Sequence, residues 1–347
     1  MRDEFALVIG GAKYTGWTQI HITRGIAQLA NSFDLSVSER FDGLGTVRPI
    51  RAGQAATISL AGEPVITGFV DSVTPNYDAN THSISVAGRD ATGDLVDCAA
   101  EHKSGAWKNQ SLAVIAFDLI HKFKAGLEVI ANVGKPFTDW KIEPGETVFE
   151  NLDRAARFRG VLLYSDGLGN LVIGKPATGT APAALVLGEN IVAAHGQSSA
   201  LQRFSQYIVR AQQQGSDNTF GVAAAQLIGE AADAAVTRYR PTEIIAENES
   251  DAAGCTLRAQ WQRTLAAARA QSIVYTVSGW RANGKLWQPN ALVPVRDRFL
   301  GLDAERLISQ VDFTLDAQGA RTYLTVVGPH AYDAIALPEP ASDGGLY

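Results

Sequence analysis

The sequence predicts an α+β fold that is mainly β: two related antiparallel β-barrel domains with a small α/β module between them. Three observations carry this expectation. Short runs with period-two alternation fill both ends of the chain. Helical-period stripes interrupt them after about residue 101, and the plan of Pro49 to Gly88 recurs at Pro289 to Gly328.

The first barrel is placed at residues 1–100. Phe33, Leu35 and Val37 alternate with Asp34, Ser36 and Ser38, giving one apolar and one polar face. Ile58 and Leu60 run into a turn at Ala61-Gly62-Glu63-Pro64, Val65 to Val73 follows, and Asn76 to Asn80 turns the chain again before Ile84 and Val86. That is a three-strand meander. The module and its linker occupy 101–180. A helix is expected from about Ser111 to Lys122 on the stripe Leu112, Ile115, Ala116, Leu119 and Ile120, with Gly126 as its stop. A second helix follows Pro144-Gly145, where Thr147 and Glu150 have capping-box spacing, and ends at Gly160. Val161 to Tyr164 and Leu171 to Ile173 then form a hairpin, and Pro176 to Pro182 has linker composition.

The second barrel is placed at 181–335, with a helical insertion at about 215–270. Strands are expected near Leu185 to Leu187 and Phe204 to Gln212, while Gly215 to Ala235 carries no firm pattern. A helix from about Asp251 to Ala270 has Leu257, Trp261, Leu265 and Ala268 at helical spacing, followed by strands near Ile273 to Val277, Ala291 to Val295, Arg306 to Leu315 and Thr322 to Val327. Residues 336–347 read as a flexible tail.

The internal echo keeps close step: Val70-Asp71 matches Val311-Asp312 (311 − 70 = 241), and Ser83 to Gly88 matches Tyr323 to Gly328 (328 − 88 = 240). Any two β-meanders share alternation and turns, so chance is the competing explanation. A true duplication would let a homotrimer present six similar barrels in a pseudo-sixfold ring.

Thr67 to Asp71 followed by Ser85 to Cys98, Thr147 to Leu152 in the module, and Gly279-Trp280, Leu286 to Asn290 and Val293 to Asp297 in the second barrel occur in that order along the chain. Together they resemble the baseplate hub proteins of contractile-tailed, Mu-like phages and prophages, distantly related to the N-terminal hub region of type VI secretion spike proteins. The resemblance implies a homotrimer with a central channel, docked between the tail tube protein and a separate trimeric central spike protein, alongside other baseplate proteins. DNA would transit without specific binding, and no catalytic role comes with the family. The expected location is the virion, in the tail baseplate, after synthesis in the host cytoplasm.

Composition agrees with a folded structural part. The 347 residues are 46% hydrophobic and 19% charged, and a net charge of −6 gives no positive field for holding phosphates. The start Met1-Arg2-Asp3-Glu4 lacks a signal-peptide pattern and no apolar run approaches membrane length, so no stable membrane association is expected. Cys98 and Cys255 are expected as buried free thiols, with a disulfide between them the alternative.

No cofactor, metal or catalytic set is expected. Asp90, Asp94 and Asp97 lack calcium-loop spacing, the six histidines are scattered, and no nucleophile elbow or phosphate loop occurs. Glu143 and Glu146 could be imagined as a glycosidase pair, although glutamates at a helix N-terminus have a capping use. Tryptophans including Trp107, Trp140, Trp280 and Trp287 could form a sugar-binding surface or pack inside. A tail-associated peptidoglycan hydrolase and a carbohydrate- or receptor-binding module are therefore the rival functions. Candidate interaction residues are Arg89 and Asp90, read as an ion pair at the barrel exit or at a subunit contact, with Asp94, Trp287, Arg296 and Asp297.

Overall fold

The computed structural model describes residues 5–39, 50–78, 82–211, 227–246 and 252–336. The chain opens with β1 (Phe5–Ile9), β2 (Ala12–Tyr14), β3 (Gln19–Gly25) and β4 (Ser32–Glu39), then forms the meander β5 (Ala55–Leu60), β6 (Glu63–Tyr77) and β7 (His82–Asp90). The short helix α1 (Gly93–Asp97) leads into β8 (Ala106–Gln110), α2 (Leu112–Ile120), β9 (Gly126–Val129), β10 (Phe137–Lys141), α3 (Val148–Arg159), β11 (Leu162–Ser165) and β12 (Asn170–Gly174). Beyond it run β13 (Gly179–Thr180), β14 (Leu185–Val186), β15 (Ala193–Ser198), β16 (Gln206–Ala211), β17 (Leu227–Ala232), β18 (Pro241–Ile245) and helix α4 (Ala252–Arg269). The chain closes with β19 (Gln271–Ser278), β20 (Arg281–Ala282), β21 (Lys285–Leu286), β22 (Ala291–Asp297), β23 (Leu302–Asp316) and β24 (Gly319–Val327).

Fourteen of these strands form one sheet, ordered β15-β19-β24-β23-β3-β4-β7-β6-β5-β1-β2, with β22 on β23 and with β13 and β14 parallel to β22. The fold is mainly β, as expected. Two separate barrels are not seen: among the described residues the strand path runs open from β15 to β2, and no pairing closes either half. The reason lies in β23. Its first part, Leu302 to Ile308, pairs with β22, and after a bulge at Ser309 Gln310 to Leu315 pairs with β3 of the first half. One apolar core accordingly runs through both halves, from Leu7, Ile22, Leu35 and Ile58 to Tyr275, Trp280, Phe313 and Leu324.

The halves repeat one plan. In both, a 15-residue strand and a 9-residue strand form the central hairpin, β6 with β7 and β23 with β24. Each hairpin has one register shift, at Asp71 and at Ser309. Bulge on bulge gives an offset of 309 − 71 = 238, so the sequence echo at 240 and 241 is real in topology but slipped by two or three residues. A slip of two keeps every side chain on its own face, which is why alternation does not reveal it. Pro49, used for the echo, lies outside the described residues.

The module has its own core of Trp107, Leu112, Ile115, Leu119, Phe137, Leu152, Leu163 and Ile173. Helix α2 is shorter than expected and is capped by Ser111; Gly126 begins β9 instead of stopping the helix. Helix α3 has the expected capping box of Thr147 and Glu150 and ends at Gly160, whose φ of 58° suits a residue without a Cβ. The presumed linker contributes β13 to the large sheet. The insertion is a ββ hairpin with a third, parallel strand and a helix, not helical alone: β17-β16-β18 under α4, with Tyr207, Val209, Cys255 and Ala259 inside. Its expected apolar stripe is rotated, because Cys255 and Ala259 are buried and Leu257 is exposed. Cys98 is exposed, against expectation, Cys255 is buried, and no disulfide joins them. The turn at 79–80, residues 215–226 of the unpatterned excursion and the tail at 337–347 lie outside the described residues.

Candidate assembly site

The chemically dense region is where the two halves and the module meet. Strand alternation puts Arg24 on the apolar face of β3 beside Ile20 and Ile22, so its guanidinium is carried inside. There Nη1 donates to Gln288 Oε1 at 2.8 Å and Nη2 to the Asp166 carbonyl. Burial pushes Arg24 below the usual guanidinium range, opposed by the charges of Asp166 and Asp90.

Asp90, at the end of β7, is 1% exposed and takes four hydrogen bonds. Its Oδ2 accepts from Asn31 N–H at 3.0 Å and Ser165 Oγ at 2.7 Å, its Oδ1 from Thr92 N–H at 3.0 Å and the Thr92 hydroxyl. Burial pushes the carboxyl up, and those hydrogen bonds pull it back only in part. Ser165 also accepts from Gly167 N–H, and the Gly167 carbonyl accepts from Thr67 N–H at 2.8 Å, docking the module hairpin on β6. Gly167 has φ of 80° and would drive a Cβ into the Val65 carbonyl.

The second half closes the joint through Gln288 and Asn290. Asn290 is buried, with Oδ1 accepting from Ala177 N–H at 2.7 Å and Nδ2 donating to the Lys175 carbonyl and Thr178 Oγ at 3.0 Å. Around this polar knot a small apolar cluster takes Ile26 from the first half, Tyr164 and Val172 from the module, and Leu307 and Val327 from the second half.

The candidate interaction residues fall in different places. Arg89 and Asp90 do not pair, because neighbours in a strand point to opposite faces. Arg89 instead donates to Asp71 at 2.8 Å and to both oxygens of Asp97 at 2.6 and 3.1 Å, so Asp97 chiefly and then Asp71 hold it above its ordinary range. Asp94 sits in the first turn of α1. Trp287 is 1% exposed and belongs to the core. Asp297 is also buried; it accepts from Tyr275 OH at 3.1 Å and caps the turn through Phe299 N–H at 3.0 Å. Arg296 alone of the second-half set reaches the surface.

The rival chemistries find no support here. Glu146 feels burial that would raise it, but Arg154, the Glu143 backbone and Asn151 hold it below the usual carboxylate range, the wrong direction for a general acid. Trp17, Trp107, Trp140, Trp280 and Trp287 are all buried, which leaves no exposed tryptophan platform among them. Sequence reasoning missed Arg24, Asn31, Ser165 and the pairing of His21 with Asp312, while Gln288 was marked only as part of the stretch Leu286 to Asn290. For Arg24 the signal was present, a charge in phase with two isoleucines.

These features define a structural subunit braced by a buried polar joint, and the comparisons place it among phage tail proteins. Residues 4–90 match the family described as Mu phage baseplate assembly protein GpP-like, N-terminal; 92–175 match baseplate hub protein gp44-like, second domain; and 251–335 match Mu phage baseplate assembly protein GpP, fourth domain. The chain is 34% identical to baseplate hub protein gp44 of Escherichia phage Mu over 339 residues, covering 94% of this chain and 88% of that protein. The crystal structure of the 43 kDa tail protein of prophage MuSo2 from Shewanella oneidensis is similar at 41% identity and a TM-score of 0.87, covering 96% of this chain and all of that one. The fold extends to the E. coli c3393 protein, a component of the type VI secretion system, at 11% identity and a TM-score of 0.58 over 96% of this chain and 80% of that one. The chain belongs to the Mu-like baseplate hub protein family. It is a structural component of the phage baseplate and thus of the virion tail, not an enzyme; among the described residues no helix is long and apolar enough to cross a membrane.

Proposed function

We propose that three copies of this hub subunit form a ring that joins the hexameric tail tube to the trimeric central spike and leaves a passage for DNA. The observation that carries the reading is the repeated half: the same strand order occurs twice in one sheet, with a bulged hairpin at the same place. Three chains would then offer six similar units to a sixfold partner while keeping threefold symmetry for the spike. In this reading residues 1–100 and 181–335 act as the two ring units and 101–180 as the brace between them, pinned through Asp90, Ser165 and Asn290. Arg296 is a candidate surface contact, and the chain is made in the host cytoplasm before assembly. The net charge of −6 suits a passage that must release its cargo.

Mass in solution, alone and after adding tube and spike proteins, tests this. A three-copy species is expected. Single copies under every one of those conditions would overturn the reading.

A further inference from the structure

We infer that neighbouring copies join by strand pairing between the outer part of β6 on one copy and β15 on the next, in a register set by the joint inside the chain. This rests on the ring reading above. Within the chain, the edge of β23 that first carries β22 passes, after its bulge, to β3, pairing Gln310 with Gly25 through to Leu315 with Ile20. The same edge of β6 carries β5 only from Glu63 to Phe69. Past the bulge at Asp71, no described strand pairs with the corresponding edge at Ser72 to Tyr77.

The other half of the missing joint is β15. Following the register from Gly88 and Val326 to Phe33 and Ile273, and on to Ile22 and Gly196, makes β15 the counterpart of β3. His21 then corresponds to His195 (195 − 21 = 174). Strand β15 pairs with β19 on one side and with no described strand on the other. Exposure follows the same logic: Ile20, Ile22, Arg24, Val311 and Phe313 are buried in the internal joint, whereas all six residues of β15 are exposed, as is Tyr77.

A sheet edge with unpaired N–H and C=O groups is a template for another strand. Strand β15, Ala-Ala-His-Gly-Gln-Ser, carries no charge or proline to guard it. A second copy fits because each chain holds both parts of a joint it already makes once. The hydrogen-bond phase agrees. Ser199 N–H turns inward to the Ala270 carbonyl, so alternation turns Ala194, Gly196 and Ser198 outward. Val70 N–H turns outward to the Gln54 carbonyl, so past the bulge Val73, Pro75 and Tyr77 face outward. Pro75 therefore keeps its missing N–H at the free edge, the tolerated place for proline in a sheet.

The transferred register sets Thr74 opposite Gln197 and Pro75 opposite Gly196. Disulfide trapping in a Cys98→Ser background tests it. Thr74→Cys with Gln197→Cys is expected to give a covalent closed multimer on oxidation, and Thr74→Cys with Gly196→Cys, which places the thiols on opposite faces, is not. Gly196→Pro, with circular dichroism and melting unchanged, is expected to shift the multimer to single copies by removing the N–H that meets the Pro75 carbonyl. A multimer of unchanged mass in which the 74/197 pair stays reduced, in which the 74/196 pair traps equally well, or which Gly196→Pro leaves whole, overturns the joint while leaving the ring standing. Single copies of the unsubstituted chain with tube and spike present overturn the ring, and the joint with it.

Discussion

His21 on β3 and Asp312 on β23 show what one ion pair does at the internal joint. Asp312 Oδ1 lies 3.2 Å from His21 Nε2 and accepts from Thr23 Oγ, while Oδ2 accepts from Gln310 Nε2 at 2.8 Å. The hydrogen bond to Asp312 raises His21 above the ordinary imidazole value despite partial burial; Asp312 falls below the carboxylate value although burial alone would raise it. The signs differ. The histidine's contribution is complete below its unfolded value and fades as pH rises through the raised folded value, whereas the aspartate's is complete above its unfolded value and fades as pH falls through the lowered one. The joint should be firmest between the ordinary carboxylate and imidazole ranges. Titration of His21 by NMR should give a raised pKa that Asp312→Asn brings down; an unchanged value would remove the pair from the account. At the knot, Asp90→Ala leaves the donors of Asn31, Thr92 and Ser165 buried without their acceptor. A loss of about 2–4 kcal/mol is expected from denaturant titration.

At the scale of elements, the module's helix starts were plain in the sequence because their causes are local. Thr147 and Glu150 bond each other's backbone across one turn, and Thr147→Ala should cost about 1 kcal/mol in the same titration. The face of α4 was not plain. Leu257, Trp261 and Leu265 have helical spacing, yet Gly229 of β17 lies so close to Cys255 and Thr256 that the helix turns its small residues to the sheet. Close approach, not hydropathy, chose that face. Register is likewise a relation between strands, so the duplicated hairpin could be recognised from alternation while its frame waited for the two bulges.

For the whole molecule, the class of fold and its division into related halves were readable from repeated meanders, but the continuity of the sheet was not. Nothing within β3 or β23 announces that residues nearly the full chain apart will pair, and the expectation of separate barrels followed from treating each meander as self-contained. The assembly site was legible only in outline. Asp90 and the stretch Leu286 to Asn290 were marked by resemblance, but their partners, Asn31, Ser165 and Arg24, come from segments without a motif.

That distant pairing has a consequence for synthesis. Strand β3 leaves the ribosome 291 residues ahead of its partner on β23, counted from His21 to Asp312, so the first half waits through that stretch of translation with Ile20 and Ile22 on an uncovered edge. Contacts so remote in sequence are slow to form, and an open edge invites mispairing with another nascent chain. Chains truncated before β23 should therefore accumulate in the insoluble fraction, while the full-length chain stays in the supernatant.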